Sequence, residues 1–108
     1  MLSRLIPFAL GFHVIAAAAD GAPAIDIQAT CRASVKAVVE AVGNTTAVTL
    51  EVCIKQEESA RIQMDKDWAT YPAEDKEGCV HPKQYSPSYV EWLTCFENRR
   101  EARRLRNQ

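Results

Sequence analysis

Four cysteines, Cys31, Cys53, Cys79 and Cys95, are the side chains of this 108-residue sequence best suited to covalent chemistry. Intervals of 21, 25 and 15 residues separate them, so there is no Cys-x-x-Cys pair to make a zinc knuckle or a redox dithiol. An even number of cysteines in a short exported chain reads instead as a disulfide framework, because a small core needs covalent ties and an oxidising compartment preserves them.

The other candidates are ionic or aromatic. Glu57 and Glu58, with Asp65 and Asp67 further on, suggest paired carboxylates, but adjacent helical residues diverge by about 100° and do not converge on one point. Glu57 with Arg61, four residues apart in the favourable acid-then-base order, is the one pair close to an apolar stripe. His81 stands two residues after Cys79 and before Pro82; once residues 1–19 are removed it has no second histidine, nor a recognisable serine nucleophile, with which to build a triad. Trp68 and Tyr71 share a helix face, and Tyr89 and Trp92 repeat that spacing, which suits either a core or an aromatic recognition surface. Arg99, Arg100, Arg103, Arg104 and Arg106 stand against Glu101 alone in the last eleven residues, a set able to bind phospholipid headgroups, anionic polymers or an acidic partner. These residues imply binding rather than catalysis, with no metal or cofactor.

Helices must position all of them. In residues 49–71, Leu50, Cys53, Ile54, Met64, Trp68 and Tyr71 recur at steps of three and four, predicting one long helix that Pro72 stops. Residues 28–42 place Cys31, Val35, Val38, Val39 and Val42 on a stripe of a first helix, with Asp26 as a candidate cap and Gly43 suited to a left-handed stop. Asn44 or a following threonine can cap the long helix; Asn44, Thr45 and Thr46 also form a glycosylation sequon. The proline-rich connection 72–87 has room for a single helical turn after Pro72. Ser86 and Pro87 then read as the cap and first position of a third helix carrying Tyr89, Trp92, Leu93 and Phe96 on one side.

Residues 1–19 have the layout of a secretory signal peptide: Arg4, an apolar run from residue 5 that also contains His13, and alanines at 17–19 before Asp20. The apolar run is shorter than the ~20 residues that span a bilayer, so no transmembrane span is expected after cleavage. Removal leaves 89 residues, one small domain, and only Arg4 of the 13 basic residues is lost against 14 acidic ones. A slightly negative chain excludes nucleic-acid binding on overall charge. The expected organisation is an extended leader at 20–27, an all-α, disulfide-stapled three-helix domain at 28–97, and a basic tail at 98–108. At about 1.5 Å per residue, Cys31 and Cys53 come to similar heights on antiparallel neighbours, which favours Cys31 with Cys53 and Cys79 with Cys95. Cys31 with Cys79 and Cys53 with Cys95 is the competing arrangement.

The segment IDIQATCRAS, the C-x3-E-x2-AR spacing from Cys53 through Glu57 to Ala60 and Arg61, Trp68-x2-Tyr71, and SYVEWLTCFE resemble a group of small exported proteins of alphaproteobacteria without an assigned activity. The resemblance implies an export signal and a small helical domain, and supplies no catalytic residue. There is a fainter likeness to LprI-type lysozyme-inhibitor domains, in which a Trp-x2-aromatic segment also precedes a cysteine. Here 10 residues separate Trp68 from Cys79, a longer interval, and Pro72 replaces the basic residue. The expected function is a periplasmic or secreted envelope protein that binds a protein or an anionic envelope component, its oligomeric state open. Inhibition of a lysozyme-type enzyme is the alternative, and a small hydrolase the third reading.

Overall fold

The computed structural model describes residues 21–44, 49–84 and 86–108. The expected signal peptide at 1–19, with His13 and the cleavage junction at Asp20, lies outside the described residues, as do Thr45 and Thr46 of the sequon. The described chain is all-α: α1 (Ile27–Val42), α2 (Leu50–Asp67), α3 (Ala73–Cys79) and α4 (Tyr89–Arg106), with a 3-10 turn at Trp68–Thr70 between α2 and α3. Cys31 is bonded to Cys53 and Cys79 to Cys95, each with Cα atoms 5.6 Å apart. Disulfides and helices are thus those expected, with α3 added as a fourth, short helix.

Local chemistry sets most boundaries. Asp26 caps α1, its carboxylate accepting the Ala29 N–H at 3.0 Å. Gly43 ends the helix at φ 84°, a left-handed conformation that glycine adopts without strain, and its N–H donates to the Val39 carbonyl. Thr49 caps α2 by accepting the Val52 N–H at 3.2 Å. Helix α2 stops at Asp67, four residues short of the predicted end at Tyr71. Because Pro72 excludes the α conformation from the residue before it, Tyr71 is extended and the intervening residues tighten into a 3-10 turn, with the Thr70 hydroxyl donating to the Asp67 carbonyl.

Two expectations fail for tertiary reasons. Helix α4 begins after Ser88, not Ser86. Ser88 Oγ accepts the Glu91 N–H at 3.2 Å, while Ser86 sits outside the helix at φ 56°. The valine stripe of α1 is not buried throughout either: Val35 and Val38 are half-buried, and Val39 and Val42 at its end are 39% and 62% exposed. Beyond the Cys31–Cys53 bridge α1 runs on through Val42, about 16 Å, whereas α2 has only Leu50 to Val52 on that side of Cys53, about 5 Å. Helix α2 is too short there to cover the valines.

The core lies where α2, α3 and α4 meet, around Ala60, Met64, Tyr71, Cys79, Tyr89, Trp92 and Phe96. Tyr71 stacks flat on Phe96 at a centroid distance of 3.8 Å, and Trp68 meets both rings edge-on. The extended leader is fastened across this core. The Tyr89 hydroxyl donates to the Pro23 carbonyl and accepts the Ile25 N–H, and Asp65 accepts the Ala22 N–H. Ile25 and Ile27 pack against the core.

The Cys79–Cys95 bridge holds the seven-residue α3, too short to be stable alone, against α4. Replacing both cysteines by alanine is expected to lower unfolding free energy by about 2–4 kcal/mol, measured by urea denaturation under non-reducing conditions.

Candidate functional site

The two long core helices carry charged residues on their buried lines. On α2 that line is Cys53, Glu57, Ala60 and Met64, and Glu57 is only 4% exposed. Its carboxylate accepts the Ser88 hydroxyl at 2.6 Å on one oxygen and the Tyr89 N–H at 2.7 Å on the other. A helix N-terminus has unpaired amides and a partial positive charge, so Glu57 acts as a second cap for α4, supplied by a different helix. Glu57 therefore forms no pair with Arg61 and presents no recognition surface. Arg61 reaches Asp65 at 3.4 Å on the solvent side instead. Burial of Glu57 decides this: inside the core its carboxylate is committed to the two donors of α4.

On α4 the apolar positions Tyr89, Trp92 and Phe96 advance by three and four residues, and Arg99, Arg103 and Arg106 continue the same rhythm. Arg99 and Arg103 converge on Asp75 of α3, whose side chain is 3% exposed. Arg103 donates to Oδ2, and Arg99 Nη1 lies 3.8 Å from Oδ1. The Arg99 guanidinium lies over Gly78, where a Cβ would come within 2.2 Å of it and would have to displace it. Residues 98–108 are thus no separate tail. Helix α4 runs unbroken through Arg106, and two of the five arginines close the end of the core.

The remaining arginines are differently placed. Arg104 pairs with Glu101 one turn back, both exposed, and the contact holds the Glu101 carboxyl below its usual range. Arg100 and Arg106 have no ion-pair partner among the described residues. At 100° per residue all five arginines fall within an arc of roughly 160° centred on the direction of Phe96. Between this arc, the 70–72 segment and α3 lies a cleft of about 160 Å³ lined by Tyr71, Asp75, Phe96, Arg100 and Arg103, among others. The Tyr71 hydroxyl, like the Trp92 indole N–H, is buried with no hydrogen-bond partner among the described residues.

Trp68 is half-buried, with the Lys76 ammonium 4.6 Å above its ring, and lines a shallow apolar groove with Pro23, Val80 and Pro82. Tyr71 belongs to the core; Trp68 bridges core and surface. His81 is exposed, its Nε2 3.1 Å from the Gly78 carbonyl at the end of α3. Asp75 and Gly78 were not singled out from sequence. The available signal was the arginine rhythm, which requires an acid from another element wherever it enters the core.

Glu57→Ala leaves the Ser88 hydroxyl and the Tyr89 N–H buried without an acceptor, and is expected to cost about 2–5 kcal/mol in urea denaturation. Glu57→Gln, which keeps one acceptor, should lie between the variant and the native chain. A pH effect follows from the phenols. Burial, first among the causes, raises both Tyr71 and Tyr89 above the usual value of 10.0. Their neutral forms are favoured in the fold, so this stability is complete below pH 10 and is lost as the pH rises through the raised values. Thermal melts from pH 8 to 11.5 should fall at the alkaline end, and Tyr71→Phe should reduce the slope of that fall.

No family model, curated protein or solved structure matches the chain.

Proposed function

We propose that this chain is an exported binding protein of the cell envelope that docks onto an anionic envelope component through the arginine face of α4. The observation that carries the reading is charge left over after folding. Five arginines share one side of a helix end, the fold supplies Asp75 and Glu101 as counter-ions, and Arg100 and Arg106 remain without an ion-pair partner among the described residues. Guanidinium groups are weakly hydrated and offer planar paired donors, which suits them to phosphate and carboxylate surfaces.

Compartment supports the same reading. All four cysteines are in disulfides, which fits an oxidising, non-cytoplasmic environment, and the periplasm or the cell exterior is the specific location proposed. No described helix is long and apolar enough to cross a membrane, so membrane contact through the described residues would be at the surface. The work of the protein is recognition, with the disulfides holding the cationic face on a rigid support.

Vesicle co-sedimentation tests this. The protein should bind phosphatidylglycerol vesicles and not phosphatidylcholine vesicles, with affinity falling as salt rises from 50 to 300 mM. Each basic side chain near an anionic surface contributes about 1 kcal/mol, so Arg100→Gln with Arg106→Gln should lower partitioning roughly thirtyfold. Equal binding to both vesicle types would refute the reading.

A further inference from the structure

We infer that the C-terminal half of α1 is a self-association surface, on which residues 35–42 of two copies of this chain pair antiparallel about a two-fold axis. The inference goes beyond the arginine reading and shares no residue with it.

An uncovered apolar face is the first argument. Helix α1 runs about 16 Å past the Cys31–Cys53 bridge, where α2 offers only about 5 Å opposite it. Along that overhang Val35 and Val38 are half-buried, and Val39 and Val42 are 39% and 62% exposed. Among the described residues seven large hydrophobics are left exposed, and four of them, Val39, Val42, Leu50 and Val52, lie on this open side of the bridge. Apolar surface gathered at one end of a small domain marks a place of association.

The order of residues says what covers it. Residues 35–42 read VKAVVEAV, with the valines placed symmetrically about the point between Val38 and Val39. A two-fold axis through that point, perpendicular to α1, opposes Val35 to Val42 of the second copy and Val38 to Val39 of the second copy. At 100° per residue the four valines fall within an arc of about 100°, so one seam holds them all.

Charge follows the same symmetry. Lys36 and Glu40 stand one turn apart on one flank of the seam, 77% and 66% exposed and 3.5 Å from each other. The perpendicular axis lays like flank against like flank with the direction reversed, so Lys36 of each copy comes beside Glu40 of the other. A patch binds its own copy only where no like charges meet across the axis, and this arrangement satisfies that condition.

Shape permits the pairing. Thr30 and Cys31 are buried at the other end of α1, where Thr30 donates its hydroxyl to the Pro87 carbonyl. Antiparallel overlap over eight residues, about 12 Å, therefore sets the two cores at opposite ends of the pair. Eight residues a side is fewer than the ~20–30 of a standard interface, which makes this a weak and reversible dimer. A pair so joined carries two arginine faces, and two weak surface contacts on one particle reinforce each other.

Sedimentation equilibrium of the disulfide-intact chain, from about 10 µM to about 1 mM, tests the inference in the range of a weak dimer. The native protein should show a reversible monomer–dimer equilibrium. A two-fold interface presents each substitution twice, so Val42→Asp should weaken dimerisation at least about tenfold, while Ile62→Asp, at a 59% exposed position on α2, should change it by less than about twofold. Lys36→Glu and Glu40→Lys should each weaken it about tenfold by setting like charges across the axis. An equimolar mixture of these two variants should form the dimer again, since the acidic helix of one meets the basic helix of the other; a pair within one chain has no such effect. Both positions are exposed, so the mixture remains informative if Val42→Asp fails to fold. A native chain that stays monomeric throughout, association weakened as much by Ile62→Asp as by Val42→Asp, or a mixture that stays monomeric overturns the inference. The readout is mass, so that failure is distinct from loss of phosphatidylglycerol binding, which concerns the arginine face.

Discussion

The contact between Glu57 and the start of α4 is the one on which the rest of the structure depends. A buried carboxylate is stable only where donors replace the water it has lost. Ser88 Oγ and the Tyr89 N–H do so at 2.6 and 2.7 Å. The same contact satisfies an amide that the end of a helix leaves open, and it sets a negative charge at the positive end of the helix dipole. Because Glu57 lies midway along α2, this fixes where α4 begins against α2. It also fixes where Tyr89 stands, and Tyr89 in turn fastens the leader through Pro23 and Ile25.

From that anchored start α4 passes from apolar to cationic without changing its rhythm. Tyr89, Trp92 and Phe96 meet Met64 and Tyr71 in the core; one and two turns later Arg99 and Arg103 meet Asp75. The same side of the helix first excludes water and then receives a carboxylate. Helix α3 serves that second contact, and the Cys79–Cys95 bridge ties it to α4. Of the other arginines, Arg104 pairs with Glu101, and Arg100 and Arg106 have no ion-pair partner among the described residues.

Much of the fold was legible from local chemistry. Asp26, Gly43 and Pro72 mark ends by mechanisms confined to a few residues, and each acts in the structure as its type requires. The cysteine pairing was legible to the extent that helix rise fixes relative height. Charged residues on buried lines were less legible. Glu57 and the arginines fit the three-and-four spacing as well as any leucine does, yet a reading that assigns charge to solvent leaves them out. The valines of α1 are the opposite case: their spacing is that of a buried face, but the helix opposite them is too short to bury it.

The sequence by itself determined the elements, the covalent framework and the cationic character of the C-terminal end, since each depends on residue type and short-range spacing. Tertiary structure alone decided which charges are structural and which remain available. Glu57 and Asp75 are buried because elements distant in the chain bring donors to them; Arg99 and Arg103 are the partly exposed partners of Asp75, and Arg100 and Arg106 have no such partner among the described residues. The physical reason is that a charge stays buried only where a partner arrives from elsewhere in the fold, and that arrival is not a property of its neighbours in sequence.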